Sequence, residues 1–371
     1  MEIMRNPVEI FDELLAHPEI NKRRYHPIPR SESQVFDAMR KFAENWVEVS
    51  QSHPRNYNLV PIHFDYIDDG GFNAFATIRE KHGFIGVFRG AILLGHDLFH
   101  RMLAHPNVLP YIGDRSLESV NLQHSEGLYN DFVLLMERRK SEDRTPFTLM
   151  PRDVIRAKFA GDLLLSAMDF LVMHEIIHIT HGHVGYIGES IGLSHIMEVS
   201  QMAAPAPAVF DPIVRQALEM DADCNSIAAI LSMLRKFEKT DHVQREDMLY
   251  KFCFALAGIF HLWGWKIDHN SLDREAHPPV ALRYLMCVDH ADRYLKRREP
   301  ELHPAFMPIA NKAFHDSWRA IDLIGGDWSR AHAVASTIDD ERSLGHLNRL
   351  SAKWAEIRPD VARFSFWQPL L

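Results

Sequence analysis

Apolar residues recur along this chain at two different periods, and the change between them divides it. Over residues 31–51, "SESQVFDAMRKFAENWVEVSQ", Val35, Met39, Phe42 and Trp46 fall at helical spacing behind Ser31 and Gln34, a capping-box pair. From about 59 to 89 the period shortens. Aromatic and β-branched runs in "YNLVPIHFDYIDDGGFNAFATIREKHGFIGVFRGAILL" are divided by Asp-Gly-Gly and His-Gly, which predicts a small sheet or hairpin. From Arg152 onward, "DVIRAKFAGDLLLSAMDFLVMHEIIHITHGH" has no proline and predicts one long helix, or two with a bend near Gly161, ending near Gly182 or Gly185. Further helices are predicted at 213–237, 244–264, 279–297 and 309–324, with a polar helical tail to about 357. The stretch "QMAAPAPAVFDP", 201–212, reads as a linker, because alternating Pro and Ala cannot continue a helix.

Composition narrows the function classes. With 371 residues the chain can bury a large core, and a net charge of -9 supplies no basic footprint for nucleic acid. Three widely spaced cysteines, Cys224, Cys253 and Cys287, include no Cys-x-x-Cys pair, so free thiols in a reducing, cytoplasmic compartment are expected. The start, "MEIMRNPVEIFDELLAHPEI", lacks the basic opening and apolar centre of a signal peptide. The longest apolar run, 252–265, is shorter than the ~20 residues of a membrane span and carries His261, so a buried core helix with a hydrogen-bonded histidine is expected there, and no transmembrane segment.

Candidate chemistry begins at "FLVMHEIIHITHGHVG", 169–184. Residues four apart on a helix share a face about 6 Å apart, so His174 and His178 can address one zinc ion. Glu175 then stands where the H-E-x-x-H arrangement places a base that takes a proton from a zinc-activated water. His181 lies about 10 Å along the helix from His174, too far to share the ion. His181 and His183 are expected to be a solvated helix end near the negative pole of the dipole. A third ligand is offered by "RQALEMDADCNSIAAIL", 215–231, where Glu219 could complete a His-His-Glu site and Asp223, one turn later, could accept the free imidazole N–H of a ligand histidine. The alternative for this stretch is a solvated acidic face of Glu219, Asp221 and Asp223.

Four segments together resemble a known group of peptidases. "HEIIHITHGH" is similar to the H-E-x-x-H-x-x-x-x-H segment of the gluzincins that include the CAAX prenyl protease and the HtpX-like heat-shock protease, with His183 at the last histidine. "EMDAD" resembles their E-x-x-x-D segment, "HPPVALR" their H-P-P-x-x-x-R segment, and "NAFATIREKHGFIGVFRGAI" their strand, turn, strand and glycine. The resemblance implies a predominantly helical α+β fold, with a zincin-like core and a small antiparallel sheet beside the H-E-x-x-H helix. It implies one zinc ion on His174, His178 and Glu219, Glu175 as general base, and Asp223 behind the ligands. His277 would lie near the reacting carbonyl, stabilising the oxyanion or holding the metal in a resting state; locally "HPP" also reads as a plain helix start. The strand around Asn73, Ala74, Phe75 and Ala76 resembles the edge that pairs with an extended peptide substrate.

Two departures qualify the likeness. Those relatives commonly carry transmembrane helices, which are not expected here, and the roughly 80 residues between Gly90 and the zinc helix are more than they place there. Soluble Lit-type phage-exclusion peptidases are the nearest suggestion. The expected organisation is a helical region at 1–58, a peptidase domain at 59–300 with an insertion at about 91–150, and a helical extension at 301–371. A second pair, His96 and His100 with Asp97, is expected to be a helix-surface pair without metal. The expected activity is zinc-dependent hydrolysis of protein or peptide bonds. The competing expectations are a metal-binding regulatory or sensing protein of the same fold without turnover, and a helical interaction protein with no metal.

Overall fold

The computed structural model describes residues 5–18, 20–27, 33–53, 59–119, 150–191, 195–197, 211–236, 242–263, 272, 275, 277–324 and 341–366. Helices α1 (Pro7–Leu15) and α2 (Ser33–Ser52) precede strands β1 (Ile62–Ile67), β2 (Ala74–Arg79) and β3 (His82–Phe88) and helix α3 (Arg89–Ala104). Then come α4 (Val154–Thr180), α5 (His183–Ile191), β4 (His195–Met197), α6 (Pro212–Lys236), α7 (His242–Trp263), α8 (Val280–Arg298), α9 (His303–Leu323) and α10 (Glu341–Val361). The α+β, predominantly helical expectation holds. The expected capping residue Ser31, and the linker apart from its last two residues, lie outside the described residues.

Helix α4 organises the rest. It is apolar nearly all round, as a helix surrounded by protein must be, and it packs against α2, α3, α6, α7 and the sheet. Among the described residues it is the one helix long and apolar enough to cross a membrane, yet 83% of that window is buried inside the protein. It passes through Gly161 unbroken, starts at Asp153, whose side chain caps the Arg156 amide, and ends at Gly182, where φ is +86°. A Cβ at Gly182 would lie 2.5 Å from the Phe364 carbonyl carbon, so the turn into α5 needs glycine twice over.

The sheet runs β1-β3-β2-β4 and is mixed, which corrects the expected antiparallel sheet. Strands β2 and β3 form a hairpin whose turn is Glu80-Lys81, both left-handed at φ 50° and 62°, and not the His-Gly pair, which lies inside β3. Strand β3 returns between β1 and β2, so it lies antiparallel to β2 and parallel to β1. The pleat sorts the side chains. Ala74, Ala76, Ile85 and Val87 join the helical core, whereas Phe75, Phe84 and Phe88 meet Ile10, Phe11, Leu14 and Leu15 of α1. Helix α1 therefore covers the face of the sheet turned away from α4.

Two buried polar side chains tie α4 to its neighbours. The fully buried Arg156 guanidinium donates to the carbonyls of Leu103, His105, Val108, Leu109 and Ile112, satisfying the end of α3 and the loop after it. Asp169 accepts from Trp46 Nε1 of α2, and burial pushes its carboxyl up to about 7 despite that bond.

A carboxyl with a folded pKa above its unfolded value, ~3.9, keeps its proton longer in the folded state; stability is intact below about pH 4 and is lost as pH rises toward 7. Asp169→Asn keeps an acceptor for Trp46 and removes the charge. It should raise the melting temperature at pH 8 by roughly 2–4 °C, with the gain shrinking toward zero near pH 4. Thermal melts across this range check it, and a gain independent of pH would count against the buried charge as its cause.

Candidate metal centre

Helices α4 and α6 pack against each other in the core, and the side chains of the site reach across between them. His174 and His178, one turn apart on α4, place their Nε2 atoms 2.8 Å apart. Glu219 of α6 faces both, with Oε2 3.2 Å from His174 Nε2 and Oε1 3.7 Å from His178 Nε2. These separations bracket the roughly 3.3 Å edge of a tetrahedron with ~2.05 Å bonds. All three side chains are 0% exposed, as is Glu175.

The donor set fits a cation. Burial lowers His178 well below the ordinary histidine value, toward the neutral imidazole that a metal ligand must be. Burial also works to raise Glu219, but His277 and His178 with the bond from His174 outweigh it and hold the carboxyl ionised, well below its usual range. A buried carboxylate is costly unless a positive charge lies beside it.

Behind the ligands stands an ordered polar layer. Asp223 Oδ1 lies 3.0 Å from His174 Nδ1, and burial of Glu219, Asp221 and Asp223 rules out the solvated acidic face. The sequence reading gave no role to Arg283, which clamps Asp223 with Nε and Nη2 each 2.8 Å from a carboxylate oxygen. Its guanidinium also lies 4.9 Å from the Trp263 ring centre. The available signal was its place in "HPPVALR". In that segment Pro279 caps α8, and His277 sits with Nδ1 3.4 Å from Glu219 Oε2. Gln216, one turn before Glu219, holds the preceding loop by donating to the carbonyls of Leu272 and Glu275.

Three expectations are corrected. His181 and His183 are not a solvated end: Gly182 turns the chain, and both rings are directed at Asp221 of α6, at 2.7 and 3.2 Å. His96 and His100 are buried within α3, not on its surface, their rings stacked 3.7 Å apart and His100 Nδ1 bonded to the His96 carbonyl. They belong to no metal-sized group among the described residues. The strand that follows Asn73 is not a free edge. Over Phe75, Ala76 and Thr77 its outer side is paired antiparallel with β4, because the chain returns to the sheet after α5. Asn73 itself turns its carbonyl to Phe88 N and is buried.

Neither curated proteins nor solved structures match this chain. A family model described as Peptidase U49, the Lit-type family, does match, over residues 143–294. That span contains α4 to α7 and most of α8, hence His174, Glu175, His178, Glu219, Asp223, His277 and Arg283, and it excludes β1 to β3 and α10. Over the part of the chain that carries the buried histidine and carboxylate cluster, the sequence is therefore similar to Peptidase U49, and the similarity suggests a peptidase.

Proposed function

We propose that the chain is a zinc-dependent endopeptidase. The observation that carries this reading is the convergence of His174 and His178 of α4 with Glu219 of α6 in a buried interior, beside Glu175, which shares α4 with the two histidines. Held by those three residues, zinc would act as a Lewis acid and lower the pKa of water toward ~7. Glu175 takes the proton of the attacking water and returns it to the leaving amine. His277 donates a hydrogen bond to the oxygen that gains charge as the carbonyl is attacked. Asp223, itself clamped by Arg283, lies against His174 Nδ1 and would leave Nε2 free to hold the metal. Three free cysteines suit a cytoplasmic setting, and the substrates are proteins or peptides.

A second reading draws on the completeness of the burial: a protein of this fold that binds metal to sense or hold a partner, without turnover. Peptide-library hydrolysis with and without chelator separates the two, since only the enzyme produces new termini in a chelator-sensitive way.

Glu175→Gln should keep about one zinc per chain and lower turnover by roughly 100- to 10,000-fold, because an amide fills the same space but takes no proton. Glu219→Ala should lose most of the metal instead. Metal analysis beside the turnover assay distinguishes them, and full turnover in Glu175→Gln would remove the base assignment.

Asp223→Ala should weaken zinc binding about 10- to 100-fold, a smaller loss than either histidine variant causes. Chelator competition measures this, and an unchanged affinity would leave Asp223 as a partner of Arg283 alone. His277→Ala should lower kcat by about 100- to 1,000-fold with KM and bound zinc little changed. Loss of metal in that variant would make His277 a ligand, and a normal kcat would take it out of the site.

A further inference from the structure

Behind His178 lies a second cluster that the proposed reaction does not use. The Nδ1 atoms of His178 and His183 are 2.9 Å apart, His183 Nε2 lies 3.2 Å from Asp221 Oδ2, and His181 Nδ1 lies 2.7 Å from that same oxygen. Asn225 donates to the other Asp221 oxygen at 3.0 Å. His183 is fully buried, with the edge of the Trp354 ring from α10 against it. The turn that aims it back at α4 is closed by the chain after α10, where the Phe366 amide and Ser365 hydroxyl both donate to the Thr180 carbonyl.

His181, His183 and Asp221 have the spacing of a metal site of their own. Proton bookkeeping opposes it. An imidazole that gives Nε2 to a metal carries its proton on Nδ1. With His178 bound through Nε2, its Nδ1–H must therefore donate to His183 Nδ1, which then carries no proton, and the His183 proton sits on Nε2 facing Asp221. A second ion on His183 Nε2 would move that proton to Nδ1 and set two N–H groups against each other at 2.9 Å. The two sites cannot both be filled in this geometry.

We infer that His183 and Asp221 are positioning residues for the metal centre, a relay that fixes His178 in the tautomer presenting Nε2 to the metal, as Asp223 does for His174. His181 and Asn225 hold Asp221 in line. Each ligand histidine then has its own carboxylate support from α6, directly for His174 and through one imidazole for His178. The inference rests on the metal-site reading above but not on turnover.

The test is zinc affinity, measured by competition with a chromogenic chelator on the full chain. His183→Ala should weaken binding about 10- to 100-fold. His183→Gln should recover most of the loss, since its carbonyl accepts from His178 Nδ1 and its amide donates to Asp221; His183→Phe, which fills the space without either bond, should not. Nitrogen NMR of histidine-labelled, zinc-loaded protein should show His178 protonated at Nδ1 and His183 at Nε2. Two zinc ions per chain, with one lost in Asp221→Asn, would overturn the relay in favour of a second site, and so would His183 protonated at Nδ1. Unchanged affinity in His183→Ala overturns the relay alone. Normal zinc binding without peptide hydrolysis overturns the peptidase reading alone, and a wild-type chain that takes up no zinc overturns both.

Discussion

Buried charge is the constraint on which this structure depends. Glu219, Asp221 and Asp223 recur along α6 and all point into the interior, where an unpaired carboxylate costs several kcal/mol. Each finds a different solution. Asp223 takes a bidentate guanidinium, Asp221 takes two imidazoles and an amide, and Glu219 faces the imidazole nitrogens of His174, His178 and His277.

The remaining architecture keeps that cluster dry and aligned. Helix α4 is held on all sides, at its start by Arg156 threading five carbonyls and at its end by the turn at Gly182. The C-terminal helix α10 lies outside the part of the chain similar to Peptidase U49, yet it packs on α6, bonds His346 to Gln216 and sets Trp354 on His183. Gln216 in turn fixes the loop that leads to His277. A segment remote in sequence thereby reaches the site along a short chain of buried polar contacts.

Much of this was legible because it is local. The period of apolar residues marks α6 to α8 to within two residues at either end and the start of α4 as closely, and the four-residue spacings of His174 with His178 and of Glu219 with Asp223 put each pair on one face. Where local pattern was ambiguous, it misled. His181 and His183 look like a polar helix end, and His96 and His100 like a surface pair, because histidine is tolerated in water and in the interior alike.

Sequence by itself determined that the chain is mainly helical with a small sheet, that one helix carries two histidines on a common face, and that an acidic helix follows it; each is a property of a few neighbouring residues. Tertiary structure alone decided that β3 inserts between β1 and β2, that β4 covers the strand after Asn73, that Arg283 clamps Asp223 across 60 residues, and that Asp221 collects His181 and His183 from the turn between α4 and α5. Those pairings join segments far apart in the chain, and burial selects them. A charged or polar side chain takes whichever partner the packing of apolar faces brings within 3 Å, and no periodicity along the chain records which one that will be.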